Sequence, residues 1–201
     1  SDQGLRSLRF KVNTHINGET SMQNSKIIAG ESFPRIDVKT PDGRMVPLVD
    51  TQAQVASGRW TLVLVYRGQH CPICLKYLNE FSMFSGRFEA LNIDVVAVSA
   101  DNNQQLEQFK VNGLKVSFPI MLELQVADMK KLGLYISEPT SDSETDHLFA
   151  EPGLFLVNPQ GQTAMLEIAN APFIRPNIDQ LVTGLEYVME NNYPIRGTHN
   201  Y

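Results

Sequence analysis

The chain has 201 residues, of which 42% are hydrophobic and 19% charged, a composition typical of one globular domain with a sizeable core. Its net charge of -5 argues against binding to nucleic acid or to an anionic membrane surface. Two cysteines are too few for a disulfide-rich secreted scaffold, and no apolar run approaches the roughly 18 residues of a membrane span, so we expect a cytoplasmic protein.

The first half of the chain contains two apolar runs that predict buried strands. Residues 1–27 are mostly polar and form an N-terminal extension that allows a short amphipathic helix. The "PDG" between "RIDV" and "MVPLV" predicts a turn that joins two short strands. "WTLVLVY" and "IDVVAVSA" have the composition of strands covered on both faces. Between these runs, a helical spacing of apolar residues predicts one helix of about four to five turns, with inward positions at Cys74, Tyr77, Leu78, Phe81, Phe84, Phe88 and Leu91.

The second half of the chain continues the alternation of helix and strand. "NNQQLEQFKVNG" and "VADMKKLGL" predict helices, the first capped near Gly113, and "VSFPIMLE" predicts a short strand. The acidic "YISEPTSDSETDHLFAEP" predicts a loop, "GLFLVNPQGQTAMLEIA" a hairpin, and the apolar stripe from Ile178 to Met189 a closing helix. The predicted fold class is α/β with a central mixed sheet, in one domain at residues 28–192 followed by a tail at 193–201.

Both cysteines lie in "YRGQHCPICLKYL", where the strand "WTLVLVY" gives way to the long helix. Cys71 falls at the N-cap or first turn, and Pro72 takes the first helical position, which tolerates a missing N–H. Free N–H groups and the helix dipole there favour a thiolate, which is the nucleophilic form of cysteine. Cys74 lies on the apolar stripe of the helix. The pattern therefore predicts an exposed nucleophile at Cys71 and a buried resolving thiol at Cys74.

Other uses of a C-x-x-C pair fit this sequence less well. A zinc site needs about four ligands, and although His70 is adjacent, the remaining histidines show no ligand spacing, namely His15, His147 and His199. A purely structural bridge would close a very small loop and constrain the unfolded chain little. Two inert thiols are a further alternative. A C-x-x-C beside a strand–helix–strand pattern favours redox chemistry, and we expect neither a metal nor a cofactor.

The strand–"HCPIC"–helix unit resembles the thioredoxin fold. More closely, the chain resembles the peroxiredoxin-like family named for alkyl hydroperoxide reductase and thiol-specific antioxidant proteins (AhpC/TSA), in order from about Ile28 to Val188. The segments that carry the resemblance are "AGESFPRIDVKTPDGRMVPLVD", "CP", "VVAVSADNNQQLEQFKV", "FPIMLE", "EPGLFLVNPQGQ" and "IRPNIDQLV". It implies a thioredoxin-like fold and antioxidant oxidoreductase chemistry in cell redox homeostasis.

The resemblance also implies roles for individual residues. Cys71 matches the family's peroxidatic cysteine, and Arg175 matches an active-site arginine that would stabilise the thiolate and hold a peroxide oxygen. Pro152 resembles the proline that precedes the corresponding strand in thioredoxin-fold reductases, where it is cis and packs beside the active-site cysteine. The alternative is that Pro152 is an ordinary proline at the entry to a strand.

The chain departs from the family motif Pro-x-x-x-Thr-x-x-Cys at two positions. Leu64 and Gly68 stand where the motif has Pro and Thr, so the hydroxyl that would orient a peroxide is absent. Gln69 and His70 are the candidates for a replacement polar contact, although each is more typical of a solvent-facing loop residue. This departure weakens the expectation of a specialised peroxidase and leaves that of thiol redox chemistry intact.

Three functions therefore stay open. The first is a thiol peroxidase, in which Cys71 attacks a hydroperoxide, Cys74 forms a disulfide with it, and a thioredoxin- or glutathione-type reductant reopens the disulfide. The second is a thioredoxin-like protein thiol–disulfide oxidoreductase that uses the same two cysteines. The third is a redox sensor or binding protein without turnover. We expect no nucleic acid or membrane partner, and a homodimer is possible because family members often dimerise.

Overall fold

A central β-sheet organises the structure, a computed structural model that describes residues 27–199 of the chain. The strands are β1 (Asp37–Lys39), β2 (Met45–Pro47), β3 (Trp60–Val65), β4 (Ile93–Val98), β5 (Ile120–Met121), β6 (Ile136–Ser137), β7 (Phe149–Ala150), β8 (Gly153–Val157) and β9 (Thr163–Ile168). The helices are α1 (Thr51–Ser57), α2 (Pro72–Met83), α3 (Ser85–Ala90), α4 (Asn103–Val111), α5 (Val126–Lys131) and α6 (Ile178–Glu190). The helix predicted in the N-terminal extension lies outside the described residues.

Five strands form the central sheet in the order β5-β4-β3-β8-β9. β4 runs parallel to β3 and β5, whereas β8 pairs antiparallel with both β3 and β9. The predicted α/β class with a central mixed sheet is therefore confirmed. The two hairpins predicted around "PDG" and "NPQGQ" are also confirmed, as β1–β2 and β8–β9.

Alternate residues of β3 face opposite sides of the sheet, as the two-residue period of a strand requires. Leu62 and Leu64 belong to one buried apolar cluster, together with residues of α2, α3, α4 and α6. Val63 and Val65 belong to a second cluster, together with residues of α5 and β1. Because both faces of β3 are covered, the strand has a nearly continuous apolar sequence.

The candidate site lies at one edge of this sheet. Since β3 and β4 are parallel and Val65 pairs with Val98, the carboxyl ends of the two strands meet there. The segment 66–71 leaves β3 at this edge, and the segment 99–101 leaves β4 beside it. Open α/β sheets commonly bind ligands in the crevice outside the carboxyl ends of their strands.

The single long helix predicted from Cys74 onward is wrong, because the structure has two helices, α2 and α3, that meet at Phe84. Ser85 Oγ donates a 2.7 Å hydrogen bond to the Ser82 carbonyl, and the hydroxyls of both serines contact Ser117 Oγ. Serine side chains that bond to the local backbone compete with helical hydrogen bonds, which accounts for the interruption.

Three further elements, α1, β6 and β7, were not predicted. Helix α1 is capped by Asp50, whose carboxylate accepts the Ala53 N–H at 3.0 Å, and it ends at Gly58 in the left-handed region with φ of 69°. The acidic segment predicted as a loop contains β6 and β7, which pair antiparallel. Only residues 138–148 between these two strands are without helix or strand.

Candidate active site

Cys71 lies between β3 and α2 at the N-cap of the helix, which agrees with the prediction. Its Sγ accepts a hydrogen bond from the backbone N–H of Cys74, with 3.2 Å between nitrogen and sulfur. Pro72 occupies the first turn, where its missing N–H costs no helical hydrogen bond. The sulfur therefore meets the free N–H groups and the positive end of the α2 dipole.

The surroundings of Cys71 stabilise its thiolate. The pKa of Cys71 falls to about 6, chiefly because the Cys74 side chain donates a hydrogen bond to it. Burial opposes this fall, while the Cys74 backbone N–H and the guanidinium of Arg67 add to it. At neutral pH the sulfur is mostly ionised, which is the state that an attacking thiol requires.

The predicted exposure of Cys71 is wrong. Only 1% of Cys71 is exposed and Cys74 is buried completely, because both belong to the apolar cluster that also contains Tyr66 and Leu78. The N-cap sulfur thus packs inside the domain instead of projecting into solvent. An open groove of about 540 Å³ lies beside it, lined by Gln69, His70, Pro72, Leu75, Asn112, Ser143 and Glu144.

Arg67 supplies positive charge to Cys71, although it was not predicted as a site residue. Its Nε lies 3.1 Å from Glu151 Oε2, and its Nη2 lies 3.5 Å from Glu144 Oε1. Its Cζ lies 4.8 Å from the centre of the Phe149 ring. These partners hold a guanidinium that is only 19% exposed, so its charge is weakly screened by solvent.

Arg175 donates its hydrogen bond to Cys74, a partner that the family resemblance does not imply. The distance from Arg175 Nη2 to Cys74 Sγ is 3.0 Å, and Arg175 Cζ lies 4.8 Å from the centre of the Tyr77 ring. Burial raises the pKa of Cys74, the hydrogen bond and the charge of Cys71 raise it further, and Arg175 opposes both. The two sulfurs are therefore unequal, as their helical positions predict.

A buried carboxylate, Asp101, holds the turn that precedes Cys71. Asp101 is completely buried, and its Oδ2 accepts the Gln69 N–H at 2.6 Å. Its Oδ1 lies 3.2 Å from His147 Nε2, and this hydrogen bond raises the pKa of His147. The turn is closed by the Cys71 N–H, which donates to the Gly68 carbonyl at 3.2 Å. Gln69 thus contributes its backbone to the site.

Gly68 stands where the family motif has threonine, and its surroundings leave no room for that side chain. Its φ is +148°, and a Cβ would lie 2.8 Å from Asp101 Oδ1 and 2.9 Å from His70 Nδ1. Real Cβ atoms essentially never come that close to a neighbour. A threonine at position 68 would therefore clash with Asp101 and His70 in this turn.

His70 lies half-buried beside the turn, and its two buried ring nitrogens make no hydrogen bond to the described residues. Its ring centre lies 4.6 Å from that of Phe149, and neither ring nitrogen has a partner among residues 27–199. Burial lowers the pKa of His70, although the charge of Asp101 opposes the change. The imidazole is therefore neutral at pH 7 and adds no positive charge next to Cys71.

The cis proline expected from the thioredoxin-fold resemblance is wrong, because no peptide bond in residues 27–199 is cis. Pro152 precedes β8 directly, and its carbonyl accepts the Ala169 N–H at 3.0 Å. It also borders a small cavity of about 20 Å³ together with Tyr77, Glu167 and Arg175. Pro152 is thus an ordinary proline at the entry to a strand.

Arg67 and Asp101 were not predicted as site residues, although the sequence contains a signal for both. Each follows a buried strand within three residues, and the two strands are neighbours in the sheet. The ends of such strands are where ligand sites form. Glu144 and Glu151 come from a segment predicted only as a loop, and its sequence does not indicate that it folds back onto Arg67.

Neither a metal site nor a membrane span is evident in the described part of the chain. Within residues 27–199, no three His, Cys, Asp or Glu side chains are grouped closely enough to hold a metal ion. The helices of the same residues are too short or too polar to cross a bilayer.

Known proteins resemble this chain in sequence and in fold. A peroxiredoxin of Aeropyrum pernix is 25% identical over 145 residues, which are 70% of this chain and 54% of the relative, so the chain spans about half of that protein. Peroxiredoxin 6 of Arenicola marina, solved as a cysteine-to-serine mutant, has a TM-score of 0.66 at 16% identity over 83% of this chain and 76% of that one. The mitochondrial 2-Cys peroxiredoxin of Plasmodium falciparum has a TM-score of 0.64 at 16% identity over 82% of this chain and 96% of that one. At these identities the structural likeness shows the fold.

The AhpC/TSA family profile matches residues 29–164, which is more than half of the chain. The matched residues include β3, both cysteines and the first turn of α2, whereas Arg175 lies beyond them. The fold of the chain matches that of a solved peroxiredoxin over 83% of its length. The chain therefore belongs to the AhpC/TSA family and has its thioredoxin-like fold.

Proposed function

We propose that this protein is a thiol peroxidase that reduces hydroperoxides, with Cys71 as the nucleophile and Cys74 as the resolving cysteine. The observation that carries the proposal is a buried thiol with a pKa of about 6, placed at a helix N-terminus and next to a guanidinium. Membership of the AhpC/TSA family and the peroxiredoxin names of the relatives support the same activity.

The reaction has three steps. The Cys71 thiolate attacks one oxygen of a hydroperoxide, an S–O bond forms, the O–O bond breaks, and the leaving oxygen takes up a proton as water or alcohol. Cys74 then attacks the sulfenic acid on Cys71, an S–S bond forms, and water leaves. A cellular thiol reduces this disulfide and is itself oxidised, which returns both cysteines to the starting state.

Positive groups at Cys71 support the first step. The N–H groups at the start of α2 and the guanidinium of Arg67 stabilise the thiolate before the attack. The same groups can stabilise the negative charge that develops on the leaving oxygen, and fixed donors of this kind have large effects in a site that excludes water.

The burial of both sulfurs favours a small oxidant. Cys71 is 1% exposed and Cys74 is completely buried, so a folded protein disulfide reaches them only after a large local opening. A hydroperoxide is small enough to enter from the groove that Gln69, His70 and Pro72 border. We therefore place peroxide reduction ahead of protein disulfide reduction.

A protein thiol–disulfide oxidoreductase is the second candidate function. It is favoured by the C-x-x-C spacing of Cys71 and Cys74 and by Gly68, which cannot supply the hydroxyl of the family motif. In this mechanism Cys71 forms a mixed disulfide with the substrate protein, and Cys74 expels the reduced product. Both mechanisms use the same thiolate, so only the electrophile distinguishes them.

The partners follow from the chemistry. The disulfide of the second step needs a dithiol or thiol reductant, and we propose one of the thioredoxin or glutathione type. We still expect a cytoplasmic protein without nucleic acid or membrane partners, and a homodimer stays open as one oligomeric state. Coupled assays with each reductant and the measured mass in solution test these proposals directly.

Two turnover assays on the same protein samples test the proposed function. Hydroperoxide consumption and insulin disulfide reduction are measured for wild type, Cys71→Ser and Cys74→Ser, each with thioredoxin or glutathione as reductant. We expect wild type to consume hydroperoxide catalytically, Cys71→Ser to be inactive, and Cys74→Ser to lose turnover after one oxidation.

The outcomes separate the three functions. Insulin reduction without peroxide consumption would replace the peroxidase with the disulfide oxidoreductase. Oxidation of Cys71 that stops after one equivalent in wild type, with every reductant tried, would indicate a redox sensor. Continued peroxide consumption by Cys71→Ser would rule out Cys71 as the nucleophile.

A further inference from the structure

The two sulfurs of the site have different guanidinium partners. Arg175 donates a 3.0 Å hydrogen bond to Cys74 Sγ. Arg67 is held by Glu151 and lowers the pKa of Cys71. The two arginines come from different parts of the fold, because Arg67 follows β3 directly and Arg175 lies in the segment between β9 and α6. Each sulfur therefore has a guanidinium of its own nearby.

The position of Arg175 is fixed by contacts to the helix that carries Cys74. Its Cζ lies 4.8 Å from the centre of the Tyr77 ring, and Tyr77 OH donates to the Pro176 carbonyl at 3.0 Å. Tyr77 is one turn after Cys74 on α2, so the helix presents both contacts on the same side. The guanidinium of Arg175 is therefore positioned by the same helix that carries Cys74.

On the basis of the proposed function, we propose that the two arginines act in different steps of the reaction. Arg67 activates Cys71 for the attack on the hydroperoxide, and Arg175 activates Cys74 for the attack on the resulting sulfenic acid.

The charge of Cys71 explains why Cys74 needs its own partner. While Cys71 is a thiolate, Cys74 donates a hydrogen bond to it and keeps its proton, and burial acts in the same direction. Oxidation to the sulfenic acid removes the negative charge from Cys71. Burial then still disfavours the Cys74 thiolate, while Arg175 is the largest influence that favours it and Arg67 adds a smaller one through its backbone N–H and its charge.

The order of events follows from this change. Cys74 becomes a nucleophile only after Cys71 has reacted, because until then the charge of Cys71 and that of Arg175 act against each other. In the resolving step the Cys74–Cys71 S–S bond forms, the S–O bond of the sulfenic acid breaks, and the thiol proton of Cys74 leaves with the hydroxyl as water. Cys74 is oxidised and the Cys71 sulfur is reduced, so no other reactant is needed.

Other titratable groups face Arg175 as well. Glu167 on β9 borders the same small cavity, and burial raises its pKa while Arg175 opposes the change. Tyr77 also has a raised pKa because of burial, so it stays neutral near pH 7. Ionisation of Glu167 would offset part of the charge of Arg175, and a Glu167→Gln variant therefore controls for this group in any pH profile.

A rapid-mixing experiment separates the two steps. Reduced protein is mixed with hydrogen peroxide and quenched with dimedone, which traps sulfenic acid, and mass spectrometry then counts reduced, trapped and disulfide species. We expect Arg175→Met to slow the conversion of sulfenic acid to disulfide by about tenfold or more, while sulfenic acid forms at the rate of wild type. Arg67→Met should show the reverse pattern.

Three variants guard against a purely structural effect. Arg175→Lys keeps the charge and should recover part of the resolving rate. Arg35→Met removes an exposed arginine whose side chain is 78% exposed and should change neither step. The pH profile of the resolving step should move to higher pH in Arg175→Met, with or without Glu167→Gln, which a loss of packing alone would not cause.

A second measurement does not depend on peroxide. In Cys71→Ser the hydroxyl of residue 71 carries no charge, as a sulfenic acid does not, so we expect the pKa of Cys74 to be lower than in wild type. Adding Arg175→Met should raise it by about one to three units. Alkylation of Cys74 as a function of pH measures both values, and it remains informative if the proposed peroxidase activity is absent.

Specific outcomes would overturn the inference. It fails if Arg175→Met slows sulfenic acid formation as much as Arg67→Met does, or if it leaves the resolving rate unchanged. It also fails if the pKa of Cys74 in Cys71→Ser does not respond to residue 175. A wild-type protein that forms no sulfenic acid would instead contradict the proposed function, and the alkylation result would then decide the role of Arg175 alone.

Discussion

The backbone N–H of Gln69 donates a 2.6 Å hydrogen bond to Asp101 Oδ2, and this bond joins the turn before Cys71 to the end of β4. Because Asp101 is completely buried and also contacts His147 Nε2 at 3.2 Å, its carboxylate connects three separate segments of the chain. The position of Cys71 therefore depends on Asp101, although Asp101 makes no hydrogen bond to the Cys71 sulfur.

We expect Asp101→Ala to destabilise the protein and to slow the oxidation of Cys71. The substitution leaves the N–H of the half-buried Gln69 without its acceptor, and the loss of a hydrogen bond to a carboxylate costs about 1.5–3 kcal/mol. Urea unfolding under reducing conditions measures the free energy of unfolding. The matched control is Asp37→Ala, since Asp37 forms only an exposed ion pair with Arg35 and should change stability by less than about 0.5 kcal/mol. Equal effects of the two substitutions would contradict this role of Asp101.

Introducing the side chain that the family motif carries should harm this protein. A Cβ at Gly68 would lie 2.8 Å from Asp101 Oδ1, so both Gly68→Ala and Gly68→Thr should lower the free energy of unfolding and the peroxidase rate. Gly113→Ala is the matched control, because Gly113 has φ of +113° but no atom within 4 Å of its Cβ position. It reports the backbone strain without the clash.

A double-mutant cycle identifies the clash with Asp101. If the carboxylate is the obstacle, Gly68→Ala should cost less in the Asp101→Ala background than in wild type, since residues in contact show non-additive effects. Additive costs, or a gain of peroxidase activity in Gly68→Thr, would show that the turn tolerates the side chain.

Alkylation of the reduced protein should be selective for Cys71. Its pKa of about 6 keeps the thiolate populated at neutral pH, whereas the pKa of Cys74 is raised. We expect the rate of iodoacetamide modification at Cys71 to rise with pH through a midpoint of about 6, and Cys74 to react much more slowly. In denaturant both cysteines should titrate with a pKa of about 8.5. A midpoint near 8.5 in the folded protein would contradict the proposed thiolate.

The same pKa makes stability depend on pH. Because the folded pKa of Cys71 lies below that of an unfolded thiol, the folded protein binds fewer protons between about pH 6 and about pH 8.5. The stabilisation is complete above the unfolded pKa and is lost as pH falls through the folded one. We therefore expect wild type to lose stability relative to Cys71→Ser as the pH is lowered from 8.5 to 6. His147 is present in both proteins, so its own titration cancels in the comparison.

Much of the fold could be predicted from the sequence because the strongest signals were long and periodic. The apolar runs of β3 and β4, the turn signals of the two hairpins and the stripe of α6 each indicate one element without ambiguity. The break at Phe84 could not be predicted in this way. The local bond from Ser85 Oγ to the Ser82 carbonyl interrupts the helix there, and both serines also contact Ser117, which is distant in sequence.

The candidate site could likewise be predicted from the sequence only in its local features. The roles of Cys71 and Pro72 as N-cap and first-turn residues follow from local sequence, because helix capping is a local property. The burial of Cys71, the bond from Arg175 to Cys74 and the approach of Glu151 to Arg67 are tertiary contacts. No spacing in the chain specifies them.

The most direct test of the account is the second-order rate constant for oxidation of Cys71 by hydrogen peroxide. It is measured by stopped flow on the reduced Cys74→Ser protein, in which no disulfide can follow, and is compared with free cysteine at the same thiolate concentration. We predict a rate constant about 100-fold or more above that of free cysteine, because fixed positive groups stabilise the developing charge. A rate constant equal to that of the free thiolate would contradict the claim that this site is built for peroxide reduction.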